Sequence, residues 1–240
     1  MLMRIDKFIA SQKSDISRSS VKELCKKGKI TVNGKICRKS DFKIDTEGTE
    51  VCVDGEKILY RKYIYIMLNK PQGVVCSTRD GISPTVLSLV PPELFRKGLF
   101  PAGRLDKDTE GFVLITDDGE LAHKMLAPKS HVPKKYAVTL ENPWEKDYYH
   151  RFREGIIIDG GEKCLPAEFE GCNEISNECT LVLHEGKFHQ VKRMFQALGN
   201  KVIYLKRISI GNLNLNENLE LGKCMEILHK DVEKLLAPSK

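Results

Sequence analysis

Hydrophobic and polar positions follow two patterns along the chain, which predict a small helical region followed by a larger region rich in strands. Near the N-terminus, Ile5, Phe8 and Ile9 recur with helical spacing, which predicts a short helix over residues 3–10. From residue 63 onward, short β-prone runs bounded by turn residues replace this spacing. The chain is therefore expected to contain two structural regions.

A second helix and a hairpin are expected to complete the N-terminal region. Ser20 and Glu23 form a capping box, which predicts a helix over residues 20–27. Asn33 and Gly34 separate two β-prone runs and favour a type I′ turn, since both central positions of that turn need a positive φ. A further strand is expected near residues 50–53, so residues 1–56 are predicted to form two helices and a small hairpin.

The remainder of the chain is predicted to be an α+β body. Strands are expected at 63–68, 112–116, 136–140, 156–158, 179–184 and 202–210, and helices at 119–127, 144–154 and 189–198. Because strands outnumber helices without alternating strictly with them, the sheet should be mixed and mostly antiparallel. The segment 60–63 is predicted to be a linker, which gives a first domain of residues 1–59 and a second of residues 60–240.

Charge is distributed unevenly between these regions. The net charge is +6, yet residues 1–43 alone hold 12 Lys and Arg against 4 Asp and Glu, so the rest is nearly neutral. A basic segment on a neutral body indicates a polyanion partner, and nucleic acid is the first candidate. The alternative interpretation is a lysine-rich surface that is merely solvated. A second basic stretch, residues 186–207, contains no acidic residue.

Several classes of protein are disfavoured by the sequence. The apolar runs are strand-sized, far below the ~20 residues of a membrane helix, and residues 1–7 lack the apolar core of a secretory leader. None of the eight cysteines forms a Cys-x-x-Cys pair, which favours reduced cytosolic thiols. No histidine stands at zinc-finger spacing from a cysteine pair. A cytoplasmic protein without a metal site or membrane partner is therefore expected.

The N-terminal region resembles a known RNA-binding domain. Its segments 4–8, 17–18, 28–30 and 32–35, with their spacing, resemble the alpha-L motif first known from a ribosomal small-subunit protein. The resemblance covers about residues 3–56 and implies a set of RNA-binding residues, namely Arg4, Lys7, Arg18, Lys22, Lys26, Lys29, Asn33 and Lys35. Contacts of this kind position a domain on structured RNA and read little sequence.

An acidic loop is the most distinctive motif of the larger region. Residues 103–111 carry glycines at both ends and three carboxylates, Asp106, Asp108 and Glu110, immediately before the strand predicted at 112–116. Loops held by a sheet often carry catalytic groups. On composition alone, the cluster fits either a glycosidase-like acid and base or a solvated acidic loop.

The same loop carries a resemblance to a known enzyme family. Gly-Arg-Leu-Asp-x-x-Thr-x-Gly over residues 103–111 resembles the signature of the pseudouridine synthases, in the branch typified by the small-subunit rRNA synthase A family. Further matches occur at residues 69–73, 100–102, 114–119, 135–136 and 185–195. The resemblance implies a bent mixed sheet with a central cleft, joined to a basic head. It also implies conversion of uridine to pseudouridine, an isomerisation that requires no cofactor.

The resemblance assigns roles to individual residues. Asp106 is the catalytic carboxylate, either a nucleophile at C1′ or a base at C2′, and the sequence leaves that choice open. Tyr136 is expected to stack on the target uracil, and Lys192 to be the cation beside Asp106. The resemblance and the nearby sequence further suggest four substrate-binding residues, namely Arg104, Lys70, Arg193 and Leu205.

The expected partner is rRNA, either free or within a ribosomal subunit assembly intermediate, and the expected state is a monomer. The sequence of residues 67–78 resembles the branch acting on small-subunit 16S rRNA more than the relatives acting on large-subunit rRNA. Large-subunit 23S rRNA is therefore the second candidate substrate. A non-catalytic RNA-binding ribosome-assembly protein is a further alternative, although it would need none of Asp106, Tyr136 and Lys192. A nucleoside glycosidase would leave the basic head unexplained.

Overall fold

A computed structural model describes residues 1–172 and 176–236. The chain divides into two compact units, one of residues 1–64 with 92–99, the other of residues 65–91 with those from 100 onward. The structural division thus falls between Ile64 and Tyr65, while the domain boundary after residue 59 stays a prediction. None of the helices in the described part of the chain combines the length and apolarity that crossing a membrane requires.

The N-terminal unit contains two helices and six short strands. In chain order they are β1 (Leu2–Arg4), α1 (Ile5–Gln12), α2 (Arg18–Lys26), β2 (Ile30–Val32), β3 (Lys35–Ile36), β4 (Lys43–Asp45), β5 (Val51–Val53) and β6 (Glu56–Ile58). β1 pairs with β4, and the other strands form a sheet of order β3-β2-β5-β6. Ile5, Phe8 and Ile9 of α1 are buried in one core with residues of α2 and the strands, as their spacing predicts.

The predicted turn and the predicted helix start have different outcomes. Asn33 and Gly34 have φ of 49° and 75° and join β2 to β3, which confirms the hairpin. The capping box at Ser20 is wrong, because Ser17 is the N-cap and its hydroxyl accepts from the Ser20 N–H. Glu23 instead accepts from Lys26 one turn later.

The segment predicted to be a linker is hydrogen-bonded within the N-terminal unit. The Arg61 N–H donates to the Gln12 side chain over 3.0 Å. Arg96, from the excursion at 92–99, donates to the carbonyls of Arg61 and Lys62 over 2.9 and 3.2 Å. These contacts explain why the compact unit extends to residue 64.

The second unit carries the remaining strands and helices. They are β7 (Tyr65–Lys70), β8 (Phe100–Ala102), β9 (Glu110–Thr116), α3 (Gly119–Leu126), β10 (Lys134–Leu140), α4 (Tyr148–Glu154), β11 (Ile157–Ile158), β12 (Glu162–Lys163), β13 (Glu168–Gly171), β14 (Glu178–Leu183), α5 (Gln190–Ala197), β15 (Val202–Ile210), β16 (Leu213–Asn214), β17 (Cys224–Glu226) and α6 (His229–Val232). The predicted helix over 144–154 is too long, since it begins only at Tyr148.

A nine-stranded sheet organises this unit. Its order is β13-β14-β10-β15-β9-β7-β17, with β8 on β9 and β16 on β15. Within the described residues, β9 and β15 are the one parallel pair and all other pairings are antiparallel. The predicted α+β class with a mixed, mostly antiparallel sheet is confirmed.

An aromatic cluster fixes α5 against this sheet. Phe195 of α5 contacts Phe152 of α4, with ring centroids 5.1 Å apart, and Phe152 stacks on Phe169 of β13 at 5.3 Å. Such aromatic pairs add to the hydrophobic stabilisation that burial provides. Trp144 contacts Phe169 from the segment before α4, so it contributes to the core although it lies outside the helix. The anchored helix holds the residues at its first turn in place.

Candidate active site

A cleft of about 900 Å³ opens in the second unit. It is lined by the loop between β8 and β9, the start of β10, the segment that leads into α5, and the middle of β15. Among its lining residues are Arg104, Asp106, Lys134, Tyr136, His189, Lys192, Leu205 and Arg207. The cleft thus brings Asp106 together with four other predicted catalytic or substrate-binding residues, namely Tyr136, Lys192, Arg104 and Leu205.

The close parallel contact between β9 and β15 fixes where the acidic loop ends. Gly111 pairs with Arg207 and has a φ of 101°. A Cβ at this position would lie 2.2 Å from the Arg207 carbonyl oxygen, a distance at which the strands would have to separate. Only glycine combines this backbone conformation with such an approach. The second glycine of the motif therefore seats the loop on the sheet.

Lys70 braces the loop from inside the protein. Its side chain is fully buried, and its ammonium donates to the carbonyls of Pro71, Lys107 and Thr109 over 3.0, 3.2 and 2.8 Å. Burial lowers the pKa of this lysine below its usual value. The suggested phosphate-binding role does not fit this placement, because the ammonium is enclosed and satisfied by backbone oxygens.

Asp106 occupies the cleft in a cationic environment. Its side chain is 27% exposed, and its Oδ2 lies 3.5 Å from the Lys192 ammonium. The Nε2 of His189 lies 3.7 Å from the other carboxylate oxygen. Both neighbours come from the segment that starts α5, so this segment places an ammonium and an imidazole beside Asp106.

Lys192 also pairs with Asp108, and more closely. Its ammonium donates to Asp108 over 2.5 Å. Partial burial by itself raises the pKa of Asp108, but the hydrogen bond and the charge of Lys192 outweigh it and hold the pKa below its usual value. Lys192 therefore links both carboxylates of the loop.

Glu110, the third carboxylate of the motif, faces a different partner. The Tyr204 hydroxyl donates to it over 2.7 Å, and burial together with this bond raises the pKa of Tyr204 to about 12. This bond joins the start of β9 to β15.

Arg193 lies outside the lining of the cleft. Its guanidinium bonds to the Asp159 carboxylate, to the Asp159 carbonyl over 3.0 Å and to the Phe188 carbonyl over 3.1 Å. The suggested substrate-binding role does not fit this placement. The guanidinium instead ties α5 to the segment between β11 and β12.

The basic stretch 186–207 is not free of acidic partners in the folded chain. Lys187 pairs with Glu162 over 2.6 Å, and Lys201 pairs with Glu141 over 3.2 Å. These acids lie elsewhere in the sequence, so a local charge count could not identify them. Most of the charges in the stretch are therefore paired with acids, although the stretch contains no acidic residue of its own.

Arg207 and Lys134 are cations of the cleft that were not assigned a role from the sequence. Arg207 stands two residues after Leu205 on β15, and Lys134 stands two residues before Tyr136 on β10. Since side chains two apart share a face of a strand, each cation accompanies a predicted site residue. The two-residue spacing from Leu205 and from Tyr136 was the signal in the sequence that could have identified these cations. Using it requires knowing that both strands border the same cleft.

The predicted RNA-binding residues of the N-terminal unit fall into two groups. Arg4 and Arg18 both bond to the buried Asp6, Lys26 pairs with Glu23, and Lys29 pairs with Asp54. Lys7, Lys22 and Lys35 are exposed, with no acidic partner among residues 1–172 and 176–236.

Asn33, the remaining predicted RNA-binding residue, has a structural role in the hairpin turn, because its side-chain oxygen accepts from the Glu50 N–H over 2.9 Å.

Two protein-family models match the chain in separate segments. The model for RNA pseudouridylate synthase matches residues 64–197, and the model for the S4 domain matches residues 3–51. No group of three or more His, Cys, Asp or Glu able to hold a metal ion occurs in the described residues.

Full-length relatives and a solved structure agree with these matches. The chain is 43% identical to an uncharacterised RNA pseudouridine synthase, YtzG, of Bacillus subtilis, over 98% of this chain and 99% of the relative. It is 40% identical to ribosomal small subunit pseudouridine synthase A of Vibrio cholerae, over 97% and 99%. A crystal structure of a pseudouridylate synthase superposes with a TM-score of 0.68 at 40% identity, covering 97% of this chain and 99% of that one. The chain belongs to the RNA pseudouridine synthase family.

Proposed function

We propose that this protein isomerises one uridine of small-subunit 16S rRNA to pseudouridine, with Asp106 as the catalytic carboxylate. The observation that carries the proposal is that Asp106 lies 3.5 Å from the Lys192 ammonium in a cleft that Tyr136 also lines. Relatives about 40% identical over their full length, in Vibrio cholerae and Haemophilus influenzae, are named as small-subunit rRNA synthases, which supports the choice of RNA.

The reaction breaks the N1–C1′ bond, turns the uracil and joins C5 to C1′. Asp106 acts either by attacking C1′ or by taking a proton from C2′, and an ionised carboxylate is required in both routes. Lys192 orients that carboxylate through the ion pair between them. Tyr136 is 9% exposed and lines the cleft, where its ring offers a flat surface for the uracil.

The target uridine must leave its stack to enter the cleft, which costs a few kcal/mol and favours loops or disrupted helices. Residues 1–59 bind the surrounding RNA through exposed lysines, and residues 60–240 carry out the reaction. Arg104 is exposed at the cleft, where it can contact a phosphate next to the target. On this proposal the protein acts as a cytoplasmic monomer on rRNA or on an assembly intermediate.

Carbodiimide-dependent reverse-transcription mapping of small- and large-subunit rRNA tests the proposal. Wild-type protein should give one new stop in small-subunit rRNA. Asp106→Asn should lower the rate by at least about 10³-fold while leaving RNA affinity largely intact, since only the reacting group changes. Asp108→Asn is the matched control, because it neutralises the neighbouring carboxylate of the same loop, and it should keep the rate within about 10-fold.

Each outcome of this mapping has a defined meaning. A stop in large-subunit rRNA would show that the protein carries out the same reaction on that RNA instead. Wild-type-like turnover by Asp106→Asn would remove the catalytic assignment. Absence of a stop in both free RNAs and in partly assembled subunits would indicate an RNA-binding protein without this activity.

A further inference from the structure

Arg207 is a buried cation whose hydrogen bonding is incomplete. Its side chain is 2% exposed, its Nε donates to the Phe112 carbonyl over 2.8 Å, and one Nη reaches the Arg104 carbonyl over 3.5 Å. Its other Nη is buried without a hydrogen-bond partner in the described residues. Leaving such a donor unsatisfied is costly, and Arg207 lines the cleft, so an acceptor atom of a bound substrate would complete its hydrogen bonding.

Lys134 is a second cation in the same cleft. Its ammonium donates to the Val132 carbonyl over 2.9 Å, and no acidic side chain pairs with it in the described part of the chain. Burial, together with the charge of Arg207, lowers its pKa to about 8. The two side chains are therefore close enough to repel each other.

Two neighbouring cations without a carboxylate are unusual in a protein interior, because buried charges are normally paired. Among the residues described, the two acids that line the cleft are engaged elsewhere, since Asp106 faces Lys192 and Asp80 accepts from two backbone N–H groups of its own loop. Beside the cleft, Asp108 also pairs with Lys192, and Glu110 accepts from Tyr204. The compensating negative charge is thus left for the substrate to provide.

The position of the pair favours the uracil base over a phosphate. Tyr136 is the cross-strand partner of Arg207 and shares a strand face with Lys134, so both cations border the ring surface assigned to the uracil. A phosphodiester continues into the chain on both sides and remains hydrated, which suits exposed Arg104 better than the enclosed Arg207.

We propose that Arg207 and Lys134 bind the carbonyl oxygens of the target uracil and stabilise the negative charge that the base acquires during the reaction. When the N1–C1′ bond breaks, its electron pair leaves with N1 and spreads onto the two carbonyl oxygens, whichever role Asp106 plays. The charge disappears when C5 bonds to C1′, C5 loses its proton and N1 gains one. This inference rests on the proposed function and names the groups that hold its substrate base.

The test compares adjacent lysines on one strand. Lys134→Met removes the proposed cation, Lys134→Arg keeps it, and Lys135→Met removes a lysine on the other face, 4.0 Å from Glu170. Lys134→Met should lower the single-turnover rate at saturating RNA by about 10²-fold, the scale seen for one lost electrostatic contact to a transition state. Lys134→Arg should retain most of the rate, and Lys135→Met should match wild type.

Two further readouts separate base binding from other roles. In Lys134→Met the salt dependence of RNA affinity should be unchanged, and the affinity itself should fall by no more than the loss of one base contact, about 5-fold. The Tm should be equal to or above that of wild type. A lower affinity with a flatter salt dependence would identify a phosphate contact instead. A lower Tm, or an equal loss of rate in Lys135→Met, would identify a structural role. Each of these results overturns the inference.

A titration of small ligands keeps the test independent of turnover. Uridine 5′-monophosphate and ribose 5-phosphate share a phosphate, but only the first carries the base. By NMR, Lys134→Met should weaken the first about 5-fold, or ~1 kcal/mol, and leave the second unchanged. Equal weakening of both, or no weakening of the first, overturns the inference. Failure of the proposed function is distinct, since it appears as absent pseudouridine with wild-type protein.

Discussion

Lysine and arginine side chains have different surroundings in the two units of this protein. In the N-terminal unit, Lys26 and Lys29 remain more than half exposed and pair with acids on the surface. In the second unit, Lys70 behind the acidic loop and Arg207 at the cleft are enclosed and bond to main-chain carbonyls. The same residue types therefore act as a solvated charged surface in one unit and as internal struts in the other.

This difference separates what charge contributes to binding from what it contributes to structure. Exposed ion pairs contribute little to stability and are screened by salt. A buried cation affects stability strongly in either direction, depending on whether its hydrogen bonds are complete. Lys70 has three carbonyl partners, while Arg207 lacks one partner and Lys134 lacks an acid. Substitution should therefore destabilise the first site and relieve the second.

The largest effect on stability is expected at Lys70. Lys70→Met removes the ammonium that donates to the buried Thr109 carbonyl and to the Pro71 carbonyl. The Lys107 carbonyl keeps the Gly73 N–H as a donor. The loss of the ammonium should lower the free energy of unfolding by about 3 kcal/mol. Urea denaturation followed by circular dichroism measures this change. Lys107→Met is the control, since that exposed lysine of the same loop bonds only to the Ser83 hydroxyl among the described residues. Equal stability of the two variants would contradict the role of Lys70 as a brace.

A smaller effect of opposite sign is expected at Lys134. Its pKa is about 8 in the folded chain, against a usual 10.5, so the unfolded chain binds more protons between these values. The cost of the buried charge is complete below pH 8 and disappears as the pH rises toward 10.5. Lys134→Met should thus be more stable than wild type by roughly 2 kcal/mol at pH 7, and the difference should shrink by pH 10.

Denaturation of wild type and Lys134→Met at several pH values provides the measurement. The difference between the two proteins is the useful quantity, because burial raises the pKa of Cys179 to about 12. The thiol therefore ionises in the tested pH range only in the unfolded chain, which changes the stability of both proteins equally. A difference that stays constant from pH 7 to pH 10 would show that charge burial at Lys134 does not govern stability.

The smallest effect on stability, but a clear effect on binding, is expected for the exposed lysines of the N-terminal unit. Replacing Lys7, Lys22 and Lys35 together by Gln should leave the Tm unchanged. Loss of three phosphate contacts should weaken RNA binding and reduce the magnitude of the slope of log affinity against log salt by about 2.

Filter binding at several salt concentrations measures both quantities. Lys26 and Lys29, replaced together by Gln, form the comparison set, because their ammonium groups already pair with Glu23 and Asp54. For each lysine replaced, the variant at Lys26 and Lys29 should change the slope of log affinity against log salt less than the variant at Lys7, Lys22 and Lys35. An unchanged slope in the first set would mean that these lysines do not contact phosphate.

Features encoded by neighbouring residues were predictable from the sequence. Asn33 and Gly34 specify their turn locally, and the spacing of Ile5, Phe8 and Ile9 identifies a buried helix face. The strands that were missed are short, such as β1, β4, β6 and β8, with three residues each. Three residues carry too little alternation for a period to be recognised.

Features that depend on distant pairing were not predictable in the same way. Lys134 and Arg207 become neighbours only because β10 pairs with β15. The enclosure of Lys70 depends on the loop at 107–109, and the acids that neutralise Lys187 and Arg193 come from residues 159 and 162. A linear charge count cannot register such partners.

The way Lys70 reaches the acidic loop has a consequence for engineering. Its ammonium contacts the loop through the carbonyls of Lys107 and Thr109, which every amino acid supplies. The contact that holds the loop therefore does not depend on which side chains stand at positions 107 and 109. Libraries that vary position 107 can therefore alter the charge at the mouth of the cleft without displacing Asp106, which makes this position a starting point for redirecting the enzyme to new RNA sequences.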